Sequence, residues 1–237
     1  MIRTYGAITI SIFVIAIVLY ILFLKKCMKR YKIYSKYILF TIIPAIIFIK
    51  FTTEIIEQEL SKFDYIVYNQ IYSIASYKIT NIMKFISNCG SSLVIISIAI
   101  ISIIILIIHK DKIYWKMLIL NLLTSSGMNL ALKNTFLRPR PDINRLVAES
   151  GYSFPSGHSM ISLCFYGYFI YLIINNMNSK FKYFISILLS ILILLIGISR
   201  IYLGVHYASD VIGGFFAGMS ILAISCTLVK YLKENNN

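Results

Sequence analysis

MLILNLLTSSGMNLALKNTF, residues 117–136, is long enough to cross a bilayer, yet Asn121, Ser125, Ser126, Asn129 and Lys133 interrupt it. Asn121, Ser125, Asn129 and Lys133 fall four apart, so in a helix they line one face. Polar and ionisable groups in a span usually face a bundle interior or a cavity. Asn121 alone is explained as a tie between helices. Lys133, at the end of the run, either snorkels to the surface or belongs to a site.

Working outward, this run is the fourth of seven candidate spans, roughly 4–24, 37–52, 90–108, 117–136, 159–176, 183–204 and 208–229. A spanning helix needs about 20 apolar residues. With 59% hydrophobic and 14% charged residues the chain has too little polar surface for a soluble domain of its 237 residues. The expected fold is all-α, a polytopic membrane helix bundle. Residues 1–36 form an extra N-terminal transmembrane helix with a basic cytoplasmic loop; residues 37–237 form a six-span core. The apolar stretch of the first run exceeds a signal-peptide h-region and no small-residue cleavage site follows, so it reads as a retained helix.

The formal charge of +14 is unevenly placed. Thirteen of the 23 Lys and Arg fall on one side of the seven-span arrangement, among them Lys25, Lys26, Lys29, Arg30, Lys32 and Lys36. Seven of the nine acidic residues fall on the other side. Positive charge marks the cytoplasmic face. The amino terminus is therefore expected outside and the carboxyl terminus inside, and the basic balance calls for no nucleic acid. Cys27, Cys89, Cys164 and Cys226 show no C-x-x-C spacing and suggest neither a disulfide framework nor a metal site.

In the long outer loop, about 53–89, Ile56, Leu60, Phe63, Val67, Ile71 and Ile74 recur at helical spacing. That stripe suits a helix in the membrane interface or capping the bundle, or one packed on the spans for stability alone.

Three clusters converge at the outer end: Lys133 with Arg138, Pro139, Arg140 and Pro141; then Pro155, Ser156, Gly157 and His158; then Ser199, Arg200, His206 and Asp210. Lys133, Arg140 and Arg200 supply charge and directed donors for phosphoryl oxygens. Ser156 and Gly157 open a helix, where backbone N–H groups and the dipole attract an anion. His206 and Asp210, four apart, share a helical face if the last helix begins there. The carboxylate then fixes the imidazole tautomer and leaves the other nitrogen to attack phosphorus. His158 is left to protonate the departing oxygen. His109, in the inner basic loop, reads as structural or solvated. A positive collar touching lipid headgroups would explain the cations but not two histidines.

Lys133-x6-Arg140-Pro141, Pro155-Ser156-Gly157-His158 and Ser199-Arg200-x5-His206-x3-Asp210 together resemble the three-part signature of the type 2 phosphatidic acid phosphatase superfamily. The resemblance covers about 37–229 and leaves the first span unexplained. It implies phosphate ester hydrolysis without a metal or cofactor, through a phosphohistidine. His206 is then the nucleophile, Asp210 its orienting partner and His158 the general acid, with Lys133, Arg140, Ser156, Gly157 and Arg200 binding the phosphate. The expected partners are the bilayer and a phosphorylated membrane lipid, with undecaprenyl pyrophosphate first. Lipid A, phosphatidylglycerol phosphate and phosphatidic acid are the alternatives. The expected location is a bacterial cytoplasmic membrane with the site on its periplasmic or external face. Two rival classes are an inactive relative that binds or transports phosphorylated lipids, which would need no nucleophile, and a vanadium haloperoxidase, typically soluble.

Overall fold

The computed structural model describes residues 35–236, and among them every regular element is a helix. In chain order these are α1 (Ser35–Ile56), α2 (Ser61–Tyr72), α3 (Tyr77–Cys89), α4 (Ser92–Ile108), α5 (Lys112–Phe136), α6 (Gly157–Asn176), α7 (Phe181–Tyr202) and α8 (Ala208–Asn236). The candidate span at 4–24, most of the basic segment after it and Cys27 lie outside the described residues.

Among the described residues, α1, α6, α7 and α8 are long and apolar enough to cross a membrane. α3 and α4 together pass the same test as a pair bent by 45°. Ile96, Ile100, Ile104, Leu188, Ile191 and Leu194 remain exposed along these helices. So much outward apolar surface suits lipid rather than water, and the chain is a multi-pass membrane protein. α5 has the length, at 25 residues, but its polar face keeps it off that set. That face turns inward: Asn121, Ser125 and Asn129 are buried. Asn121 Nδ2 donates to the Cys164 carbonyl of α6 at 2.8 Å, and Asn121 Oδ1 accepts from Ser225 Oγ of α8 at 3.0 Å.

α8 packs against α1, α5, α6 and α7, so it is the bundle's centre. Glycines let α6 come close. A Cβ on Gly214 would lie 2.8 Å from the Ser156 carbonyl oxygen, and one on Gly218 2.8 Å from that of Met160. Small residues at such contacts bring backbones together where no hydrophobic force drives helix association.

The outer loop folds as α2 and α3, separated by residues 73–76, with Ser76 capping α3 through the Ile79 N–H. The inner face of α2 differs from the apolar stripe. Val67 and Ile71 do pack on Ile201, Ala208 and Val211. Phe63 and Ile74 are exposed, whereas Asp64 and Tyr68 are buried. The buried register is therefore 64, 67, 68, 71. A count of apolar residues missed it because one member is a carboxylate whose burial depends on partners distant in sequence.

Candidate active site

Four chain segments meet at one end of the bundle: the α5 exit, the α6 start, the α7 exit and the α8 start. Gly204 makes the sharp turn between the last two, with φ of 69° and its α-carbon hydrogens against the Asn144 carbonyl. Only glycine adopts that conformation at little cost.

His206 follows this turn and is 2% exposed. Its Nδ1 lies 3.3 Å from Asp210 Oδ2. The same oxygen accepts from the Tyr207 N–H at 2.8 Å and from the Ser153 hydroxyl. On the other side of the ring, Arg140 Nη1 lies 3.1 Å from Nε2. A guanidinium has donors and no acceptor, so Nε2 presents its lone pair and the ring proton resides on Nδ1, facing Asp210. Burial first, then the charges of Arg140 and Arg200, push the imidazole pKa down to about 4, against the opposing pull of Asp210. The ring is neutral at pH 7, with the nitrogen away from the carboxylate carrying the lone pair.

Arg140 is held on several sides. Nε donates to the Gly151 carbonyl at 3.0 Å, Nη2 to that of Ser150 at 2.9 Å, and Nη1 to that of Val205 at 2.9 Å. Lys133 Nζ donates to the Tyr152 carbonyl. These two cations of the first motif thus grip the segment 150–152 that leads into the second.

Ser156 is the N-cap of α6, its Oγ accepting from the Ser159 N–H at 3.4 Å. Its own N–H donates to the Asp210 carbonyl at 3.0 Å. The first-turn N–H groups of Gly157 and His158 are then the ones that helix geometry leaves for an anion. Asn129 supports this mouth through the Pro155 carbonyl, at 3.1 Å.

His158 and Arg200 line a cleft of about 490 Å³ together with Lys84, Ser87 and Glu149. His206 instead lines a cavity of about 350 Å³ beside Tyr65, Tyr68, Arg138 and Tyr207. The two histidines therefore open on different hollows, within electrostatic reach of one another. Arg200 is buried; Nη1 donates to Ser87 Oγ at 2.7 Å and Nη2 to the Glu149 carboxylate. Arg200 Nε is a buried donor with no partner among the described residues. Burial would raise the Glu149 carboxyl, but the charge and hydrogen bond of Arg200 more than offset this and hold it below the usual range.

All eight residues expected at the site gather at this end. Sequence reasoning missed Asp64, Ser87, Glu149, Ser153 and Ser209, and passed over Arg138 because its spacing from Lys133 does not fit the motif. Ser153 and Glu149 do precede Pro155 by a few residues, a proximity that was open to view. His109 caps α4 and is exposed, far from any of these groups.

Comparison with known proteins agrees with this geometry. Residues 114–234, more than half of the chain, match the PAP2 superfamily, and that range contains all eight residues. Phosphatidylglycerophosphatase B of Bacillus subtilis (strain 168) is 44% identical over 98 residues, 40% of this chain and 48% of its own. Lipid phosphate phosphatase delta of Arabidopsis thaliana is 26% identical over 116 residues, 44% of this chain and 28% of its own. The chain spans about half the length, or less, of these curated relatives. Among solved structures, the transmembrane PAP2 type phosphatidylglycerolphosphate phosphatase from Bacillus subtilis superposes with a TM-score of 0.75 at 28% identity, covering 84% of this chain and 98% of that one. Aquifex aeolicus LpxE gives 0.50 at 25% identity, covering 70% and 92%. A matched segment that carries the whole site, together with a shared bundle, leads to one conclusion: the chain belongs to the PAP2 superfamily.

Proposed function

We propose that the chain is a membrane lipid phosphatase working through a phosphohistidine. The observation that carries this reading is the His206 ring, clamped at Nδ1 by Asp210 and presenting its Nε2 lone pair toward Arg140. Nε2 attacks phosphorus as the bond from phosphorus to the lipid oxygen breaks, and His158 gives its proton to that oxygen. Water then attacks phosphorus while His158 takes its proton back; the phosphorus–nitrogen bond breaks with its electron pair returning to Nε2, and inorganic phosphate leaves with His206 neutral again. Lys133, Arg140, Arg200 and the N–H groups at Gly157 and His158 neutralise the equatorial oxygens. The unpartnered Arg200 Nε supports an oxyanion in this position.

Phosphatidylglycerol phosphate is the first substrate to test, because that lipid phosphate is named for the Bacillus structure. Undecaprenyl pyrophosphate, lipid A and phosphatidic acid complete the panel, since the site residues recognise phosphate and not the tail. We place the site on the external or periplasmic face of a bacterial cytoplasmic membrane.

Phosphate release from this panel by purified protein in detergent with EDTA, beside His206→Ala, tests the reading. The expected result is release that survives chelation and drops by about 10³-fold or more in the variant. Absence of release from every lipid, with wild type and variant alike, would move the chain to a binding or transport role.

A further inference from the structure

The two oxygens of Asp210 face different groups. Oδ2 holds His206, Tyr207 and Ser153, as described. Oδ1 accepts from Arg138 Nη1 at 2.6 Å, and Arg138 lies outside the family signature. The same nitrogen is 2.7 Å from Ser209 Oγ, while Nη2 lies 2.8 Å from Asp64 Oδ2. Asp64 also accepts from the Ser209 N–H at 2.8 Å and the Ser209 hydroxyl at 2.7 Å. The Asp64 side chain is 2% exposed and that of Asp210 is fully buried. The guanidinium also stacks on the Tyr207 ring, 4.2 Å from its centroid. One arginine thus joins a carboxylate of the outer helix α2 to the carboxylate that holds His206.

A buried carboxylate is a costly way to dock a helix. Val67 and Ile71 already bind α2 to the bundle by apolar contact. The presence of Asp64 is better explained by what it does to Arg138. We propose that Arg138 and Asp64 are positioning residues that act on His206 through Asp210, fixing the rotation of that carboxylate and sharing its charge. This rests on reading His206 as the nucleophile.

The consequence has a sign. Arg140 from the α5–α6 connection, Arg200 of α7 and His158 of α6 bear on the His206 ring as cations or potential cations, and Asp210 of α8 is the carboxylate against it. Removing Arg138 leaves Asp210 with its whole charge to place on the imidazole, so His206 becomes easier to protonate. Removing Asp64 lets Arg138 neutralise Asp210 more fully, so His206 does not become easier to protonate. Removing a residue that only stabilises the fold does not raise the midpoint, so the rise in the Arg138 variant is the discriminating sign.

The 237-residue chain carries three histidines, so ¹⁵N-histidine NMR of the protein in detergent follows each ring directly. In Arg138→Gln the His206 titration midpoint is expected to rise by about one pH unit, while Asp64→Asn leaves it unchanged or lower. Arg138→Lys keeps the charge and is expected to restore the midpoint. Misplacement of the carboxylate should lower kcat about 10- to 100-fold in Arg138→Gln. KM should stay within about threefold, because the phosphate cations are untouched. Arg138→Gln with the wild-type midpoint would overturn the proposal, as would variants that lose thermal stability alone. If the wild type releases no phosphate from any lipid, the phosphatase reading falls, and the NMR titration still decides whether Arg138 acts on His206.

Discussion

At the scale of the residue, the proposed role of His206 as nucleophile combines two demands that oppose each other. A nucleophile must be neutral, whereas an imidazole beside a carboxylate tends to hold a proton. Burial and the Arg140 and Arg200 charges win, and the ring pKa falls to about 4 from its ordinary 6.5. Between those values the unfolded chain binds a proton that the folded protein does not. Folded stability therefore decreases as pH falls through that window. The same shift sets the acid limb of kcat/KM, in which activity should be lost only as pH approaches 4. Profiles with a phosphate monoester substrate must be corrected for its second ionisation, near pH 6. An acid limb at the ordinary histidine value in corrected profiles would mean that the ring is solvated in the working enzyme. The eight residues of the candidate site were legible because their order and spacing are a sequence property. Glu149 and Ser153 were not, since each gains meaning only from a partner across the fold, Arg200 in one case and Asp210 in the other.

At the scale of the element, the site depends on how closely α6 approaches α8. Ser156 caps α6 and also donates its N–H to the Asp210 carbonyl, so the helix mouth and the residue that holds His206 share one contact. Gly214 permits it: a Cβ there would press on the Ser156 carbonyl itself. Gly214→Ala should cost about 1–3 kcal/mol by overpacking and should lower kcat as well. Gly218→Ala, which meets the Met160 carbonyl one turn deeper, should cost a similar amount with a smaller effect on kcat. Gly127 on α5 has nothing within 4 Å of a built Cβ. Alanine there should be neutral or stabilising by up to about 1 kcal/mol, since it favours the helix. Thermal unfolding in detergent beside single-substrate kinetics separates the three; equal effects at Gly127 and Gly214 would remove the close-packing argument. Apolar length foretold the helices at 37–52, 90–108 and onward, and the four-residue spacing foretold the inward face of α5. The same logic failed on α2, where the inner face contains Asp64. Periodicity detects burial through hydrophobicity and is blind to a carboxylate that is buried because Arg138 and Ser209 meet it.

At the scale of the whole molecule, orientation decides which leaflet the site serves. The α5 exit, α6 start, α7 exit and α8 start lie together, so the opposite end carries Lys110, Lys112, Lys180, Lys182, Lys230 and Lys233. At that end Lys233 Nζ donates to Asp111 Oδ2 at 3.2 Å and sits over the Tyr114 ring. That pair and the one between Lys230 and Glu234, at 4.0 Å, still leave a net positive charge at this end. Lys and Arg in short loops resist translocation, so the lysine-rich end is the one expected in the cytoplasm. Reporter fusions after Asn237 and in the loop at Lys180 should therefore both be active in the cytoplasm and silent outside. Both sites lie at the same end of the bundle, so the two fusions must agree whatever the fate of residues 4–24. External signals at both would turn the molecule over and put His206 on the cytoplasmic leaflet, where a different pool of lipid phosphates is presented. Cytoplasmic signals at both would leave the phosphate mouth at Gly157 and His158 facing outward, so that substrate arrives from the outer leaflet and inorganic phosphate is released away from the cytoplasm.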